Sequence, residues 1–155
     1  KDNGWELASH SWGHLHLGVA DDPEAGFAID EVRFRADTDK WEAEVESLIG
    51  PTDILLYPYG NDIADWRPYH QDNPRFAYLE SKGFRYFCNV DASKPYWTQM
   101  GTNYFRMARR NLDGYRLYED LIQTDPSKKR LTDLFDAAQV FDSARPTPVS
   151  WSYQK

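Results

Sequence analysis

The stretch Asp53-Ile54-Leu55-Leu56-Tyr57-Pro58-Tyr59-Gly60 decides the fold class. Its apolar run, bounded by Pro51 and Pro58, has the form of a strand buried on both faces, as in parallel sheets. A strand, then a turn with Pro58 and Gly60, then a polar loop from Asn61 to Asp72 is where an α/β fold places functional groups. Upstream, residues Ile29 to Ile49 read as a helix, in one part or two. Trp41, Val45, Leu48 and Ile49 recur there at helical spacing, Asp39 followed by Glu42 resembles a capping box, and Gly50-Pro51 is the stop. Downstream, Asn73 and Pro74 form an N-cap and first helical position, Phe76, Tyr78 and Leu79 supply contacts, and Gly83 ends the helix. Strands are expected from Phe84 to Val90 and from Asn103 to Arg109, with further helices from Gly114 to Gln123 and through Leu131, Leu134, Phe135 and Ala138. The tail around Pro146 and Pro148 reads as extended. Strand and helix alternate with short connections, which predicts a parallel βα sheet or barrel.

Composition sets the outer limits. At 155 residues the chain fits one domain with a core of its own. A net charge of -7 argues against nucleic acid, whose binders carry a basic face, and disfavours an anionic membrane surface. No apolar run approaches the ~18 residues of a membrane span, and no signal peptide is visible. The single cysteine, Cys88, excludes an internal disulfide and reads as a packed thiol within a buried strand. Six Trp and ten Tyr suit either a core or the stacking of sugar rings.

The chemistry concentrates near the N-terminus, in Gly4-Trp5-Glu6-Leu7-Ala8-Ser9-His10-Ser11-Trp12-Gly13-His14. His10 and His14 are four residues apart, so a helical turn capped by Ser11 would bring both imidazoles to one face, where two nitrogens can meet one divalent ion. The other reading is two capped or surface histidines at a strand end. His16 is expected to be structural or exposed, and His70 to lie on the surface. Arg109, at the end of its strand, either borders a pocket or makes a surface ion pair.

Two of these stretches, Trp5 to His14 and Ile54 to Gly60, resemble in order the second and third motifs of the NodB-type polysaccharide deacetylases, carbohydrate esterase family 4. The first matches a strand ending in His-Ser/Thr-x-x-His, the second the Tyr-Pro-Tyr-Gly variant. The likeness covers about residues 4 to 110. It implies a partial (βα) barrel and a metal-dependent hydrolase that removes N-acetyl groups from a glucosamine-containing polysaccharide or oligosaccharide, with an extracellular or cell-envelope location. It further implies His10 and His14 as ligands to a divalent metal, above all zinc, the backbone N–H of Tyr59 as the oxyanion contact, and Trp97 and Arg109 beside the sugar. The alternative is a non-catalytic carbohydrate-binding relative.

The likeness has gaps. The family's Thr-Phe-Asp-Asp-type motif, source of the aspartate ligand and the base, has no match, so the expectation is the C-terminal part of a longer barrel, unless Asp62 or Asp91 substitutes. Leu56 stands where the third motif commonly has arginine, a role Arg109 could take. The late Leu-x-His motif has no counterpart, because no histidine follows His70. Open strand edges of such a partial barrel would leave room for a homo-oligomer.

Overall fold

The computed structural model describes residues 2–18, 29–64, 67–90 and 96–147. The chain divides into two compact units, Lys1–Asp91 with Thr98–Arg109, and Ala92–Trp97 with Arg110–Lys155.

The first unit is built on a mixed sheet of four strands: β1 (Ile54–Leu56), β2 (Tyr86–Val90), β3 (Thr98–Met100) and β4 (Phe105–Arg109), in the order β1-β2-β4-β3. β1, β2 and β4 run parallel, with Leu55 opposite Phe87 and Cys88 opposite Met107. β3 lies antiparallel to β4. On its free side β1 takes one more parallel partner, Ser9, whose N–H donates to the Ile54 carbonyl (2.9 Å) and whose own carbonyl accepts from Leu56 N–H (2.8 Å). The histidine motif is thereby fixed to the edge of the sheet.

Strand β3 falls in a stretch that the sequence reads as loop. It is three residues long and has no buried residue, so it carries no apolar signal. The backbone supplies what the pattern lacks. Gly101 N–H donates to the Tyr104 carbonyl (2.9 Å), and the turn closes only because Gly101 has no Cβ, which would stand 2.1 Å from the Tyr104 ring.

Two helices pack on the Leu55 and Phe87 face. The helix Glu31–Trp41 starts at Asp30, whose side chain accepts from Arg33 N–H (2.7 Å), so Asp30 and not Asp39 is the cap. It continues as a π-helical stretch, Glu42–Glu46, and a closing turn, Ser47–Ile49. Trp41 is buried, and Val45 and Ile49 pack on the core, while Leu48 is 82% exposed. The wider π turn accounts for this, because it keeps every fourth residue in line and rotates Leu48 outward. The helix Pro74–Ser81 matches the sequence reading: Asn73 accepts from Arg75 N–H and Phe76 N–H, and Gly83, at φ 94°, follows its end. Between helices and sheet lie Phe34, Trp41, Leu55, Tyr57, Phe76, Leu79, Phe84 and Phe87. Cys88 is buried in β2, and burial raises the pKa of its thiol.

This core also holds an ion pair. Arg106 Nε donates to Asp62 Oδ2 (2.7 Å) with both side chains buried, and Tyr69 Oη donates to both Asp62 oxygens (2.9 Å each). Tyr57 Oη lies 2.9 Å from Tyr69 Oη. Burial pushes both phenols well above their ordinary range, so they remain protonated and able to donate.

In the second unit the helix Gly114–Ile122 is capped by Asp113, which accepts from Arg116 N–H (2.8 Å). The helix expected through Leu131 shrinks to Ala137–Val140. The buried Asp120 carboxylate takes the N–H groups of Arg130 and Leu131, and only a single turn, in which Leu131 O accepts from Leu134 and Phe135, follows them.

Phe87 is fully buried and touches the rings of Tyr57, Tyr69 and Phe76. Phe87→Ala is expected to cost about 3–5 kcal/mol, read from the urea midpoint; a loss below about 1 kcal/mol would contradict the packing described.

Candidate functional site

The parallel strands all end on one side of the sheet, where a parallel α/β arrangement concentrates functional loops. His10 directly follows Ser9, Tyr57 and the Pro58–Gly60 turn follow β1, and Arg109 closes β4. Three contacts tie these ends together. His10 Nδ1 sits 2.7 Å from the Leu56 carbonyl, Arg109 Nη2 donates to the Tyr57 carbonyl (2.8 Å), and Gly60, at φ 72°, lies so close to Val90 that a Cβ would stand 2.6 Å from it.

A carbonyl can only accept, so Nδ1 of His10 is the donor of this bond, and a neutral ring in that tautomer has its lone pair on Nε2. An imidazole held in this way by a backbone carbonyl has the tautomer and orientation that a metal ligand needs. The His14 ring lies 4.8 Å from that of His10, centroid to centroid, with the planes 74° apart. Two imidazoles on one tetrahedral ion, each at ~2.0–2.1 Å, place their centroids about 5 Å apart. The observed spacing is close to that value.

The two rings reach this position without the helical turn considered from their spacing. Ser11 and His14 are left-handed, at φ 60° and 50°. The amides between the histidines are drawn sideways: Trp12 N–H (3.0 Å) and Gly13 N–H (2.6 Å) both donate to Asp37, a buried carboxylate on helix Glu31–Trp41. Ser9 and Ser11 hydroxyls accept from Ser11 N–H and Leu15 N–H. Sequence reading missed Asp37 because its contact spans 25 residues and leaves no local signature.

Tyr59 is the third left-handed non-glycine residue among the described residues, at φ 58° and ψ 4°. Its ring is 62% exposed. It meets His14 edge-on at 4.5 Å and stacks on His16 at 4.2 Å, with planes 7° apart. The turn's two hydrogen bonds are donated by Gly60 and Asn61 (3.0 Å each), and the Tyr59 N–H takes no part in them.

Asp62 faces the core and is not available as a substitute ligand. Arg106, Tyr69, Asn89 and the Ala64 N–H occupy it. Burial raises its pKa while the Arg106 guanidinium pulls it down. Asp91 lies outside the described residues. Among those residues, no group of three histidine, cysteine or carboxylate side chains is placed to hold an ion. The described hydrogen bond of Arg109 runs to the Tyr57 carbonyl, at the start of the Pro58–Gly60 turn. Trp97 is half-buried and belongs to the second unit, and His70 is exposed. Trp12, between the two histidines, is 46% exposed, with Lys40 Nζ 5.0 Å from its ring centroid.

Comparison with family models, with curated proteins and with solved structures gave no match.

Two substitutions separate the roles of these carboxylates. Asp37→Ala is expected to loosen the Trp12 and Gly13 amides and speed their exchange by about tenfold, because it removes their common acceptor. Asp62→Ala is expected to leave those amides at the wild-type rate but to cost about 3–5 kcal/mol by stranding Arg106. Amide exchange by 15N NMR and urea unfolding read the two effects; wild-type exchange of both amides in Asp37→Ala would contradict the contact described.

Proposed function

We propose that the chain belongs to a metal-dependent polysaccharide deacetylase that hydrolyses the acetamide of an N-acetylglucosamine-containing polymer, on a partial (βα) barrel. The observation that carries this reading is the pair of imidazoles at the strand ends, with His10 fixed through Nδ1 to the Leu56 carbonyl. The left-handed backbone of Ser11, His14 and Tyr59 supports it, because strained residues persist where surrounding contacts hold them and they cluster at working sites.

His10 and His14 would supply two nitrogen ligands to zinc, and a carboxylate from outside the described residues the third. An ion so held supplies Lewis acidity and an ionised water near neutral pH. The chain's own residues then bind and orient. The Tyr59 N–H, in the Pro58–Gly60 turn, would donate to the oxygen that gains charge as water adds to the acetyl carbon. The C–N bond then breaks, the nitrogen takes up a proton, and acetate and a free amine remain. Arg109 fixes the Tyr57 carbonyl and, through it, the start of the turn.

A second reading, a carbohydrate-binding relative without catalysis, draws on the exposed indoles of Trp5 and Trp12, 75% and 46% accessible. Isothermal titration with zinc and an acetate-release assay on chitin oligosaccharides, run on this chain and on an N-terminally extended form, distinguish the two. Zinc affinity is expected to fall at least about 100-fold in His10→Ala and in His14→Ala, with acetate released from the extended form. Oligosaccharide binding with neither zinc uptake nor acetate release would sustain the second reading instead.

A further inference from the structure

We propose that His16 is a positioning residue. Its imidazole, stacked on Tyr59, holds the Pro58–Gly60 turn in its left-handed form and so fixes the direction of the Tyr59 N–H beside the histidine pair. The role in catalysis rests on the deacetylase reading; the effect on the turn does not.

The turn needs such support. A bulky residue at positive φ is an outlier that reverts to extended or right-handed backbone unless something restrains it. For most left-handed residues the restraint is glycine chemistry or a buried side chain. Tyr59 has neither, since its ring is 62% exposed. What the ring does have is two aromatic neighbours: the edge of His14 at 4.5 Å and the face of His16 at 4.2 Å. With planes only 7° apart, the His16 ring lies stacked against the phenol ring. His14 meets the ring only across a T-shaped contact, so the stacked face of His16 is the restraint on the Tyr59 side chain that adds to the Gly60 and Asn61 hydrogen bonds and the Arg109 bond to the Tyr57 carbonyl.

A stack restrains only if its other half is fixed, and His16 stands on fixed backbone. Leu17 is buried. The Leu17 and Gly18 carbonyls accept from Arg75 Nη1 at 2.6 and 3.1 Å. Gly18 N–H donates to Asn61 Oδ1 (2.6 Å), and Gly18 lies so close to the Asp62 carbonyl that a Cβ would come within 2.2 Å. The segment after His14 is therefore pressed onto the segment after Tyr59, and the two rings close the gap between them.

The test compares His16→Ala, which removes the stack, with His16→Phe, which keeps an aromatic face and loses the nitrogens. Amide exchange of Gly60 and Asn61, the turn's two donors, is followed by 15N NMR on the whole chain. Zinc affinity and acetate release are measured in parallel on the extended form. His16→Ala is expected to speed turn exchange by about tenfold and to lower kcat by about tenfold at unchanged KM, with zinc affinity within about threefold of wild type. His16→Phe is expected to restore both turn exchange and kcat. Wild-type exchange in His16→Ala, failure of Phe to restore it, or collapse of zinc affinity in either variant would overturn the proposal. If the wild-type extended form neither binds zinc nor releases acetate, the deacetylase reading fails, while the exchange data still decide whether His16 holds the turn.

Discussion

The site depends on one short piece of strand pairing. Ser9 exchanges two backbone hydrogen bonds with β1, one to Ile54 and one from Leu56, and this sets where His10 emerges. Because His10 is the next residue and its Nδ1 meets the Leu56 carbonyl, a slip of one residue would turn the imidazole to the opposite face. The same pairing carries the chain toward Asp37, which receives the amides between the histidines. Strand register thus does the work that a helical turn would otherwise do, and the loop is free to use left-handed backbone.

The buried pair of Arg106 and Asp62 plays a different part. Removing two charges from water is costly, and such a pair rarely outperforms apolar packing of the same volume. Here both charges are also hydrogen-bonded, Asp62 by Tyr69 and Arg106 by the Arg67 carbonyl. Asp62 follows the Tyr59 turn by three residues, and Arg106 lies in the middle of β4. The pair therefore ties the loop after the Pro58–Gly60 turn to the strand beside β2 and gives that loop a fixed base inside the core.

Much of this scaffold is written locally. The apolar run of β1 between two prolines, the Asn73-Pro74 helix start and the Gly83 stop are all decided by residues within one turn of each other, and each appears where the sequence places it. The histidine spacing is legible too, but the helical turn read from it is not what brings the rings together. What the sequence hides is non-local. The Asp37 contact spans 25 residues and the Gly18 contact to Asn61 spans 43, while the stack of His16 on Tyr59 joins two loops that only the sheet brings together. β3 escapes notice because it is an edge strand with no buried side chain. Leu48 has the spacing of a core residue, yet a change in helical pitch, which no residue type announces, turns it to solvent.

Arg75 has a consequence for how this chain could vary. Its guanidinium donates to the carbonyls of Leu17 and Gly18 on one side and of Ile29 on the other, so one planar fork pins both flanks of the intervening sequence at a fixed separation. Lysine, a single point charge without the fork, would not serve in its place. Loss of the Arg75 fork would therefore release three carbonyls on two separate segments at once, which no single change within either segment could do.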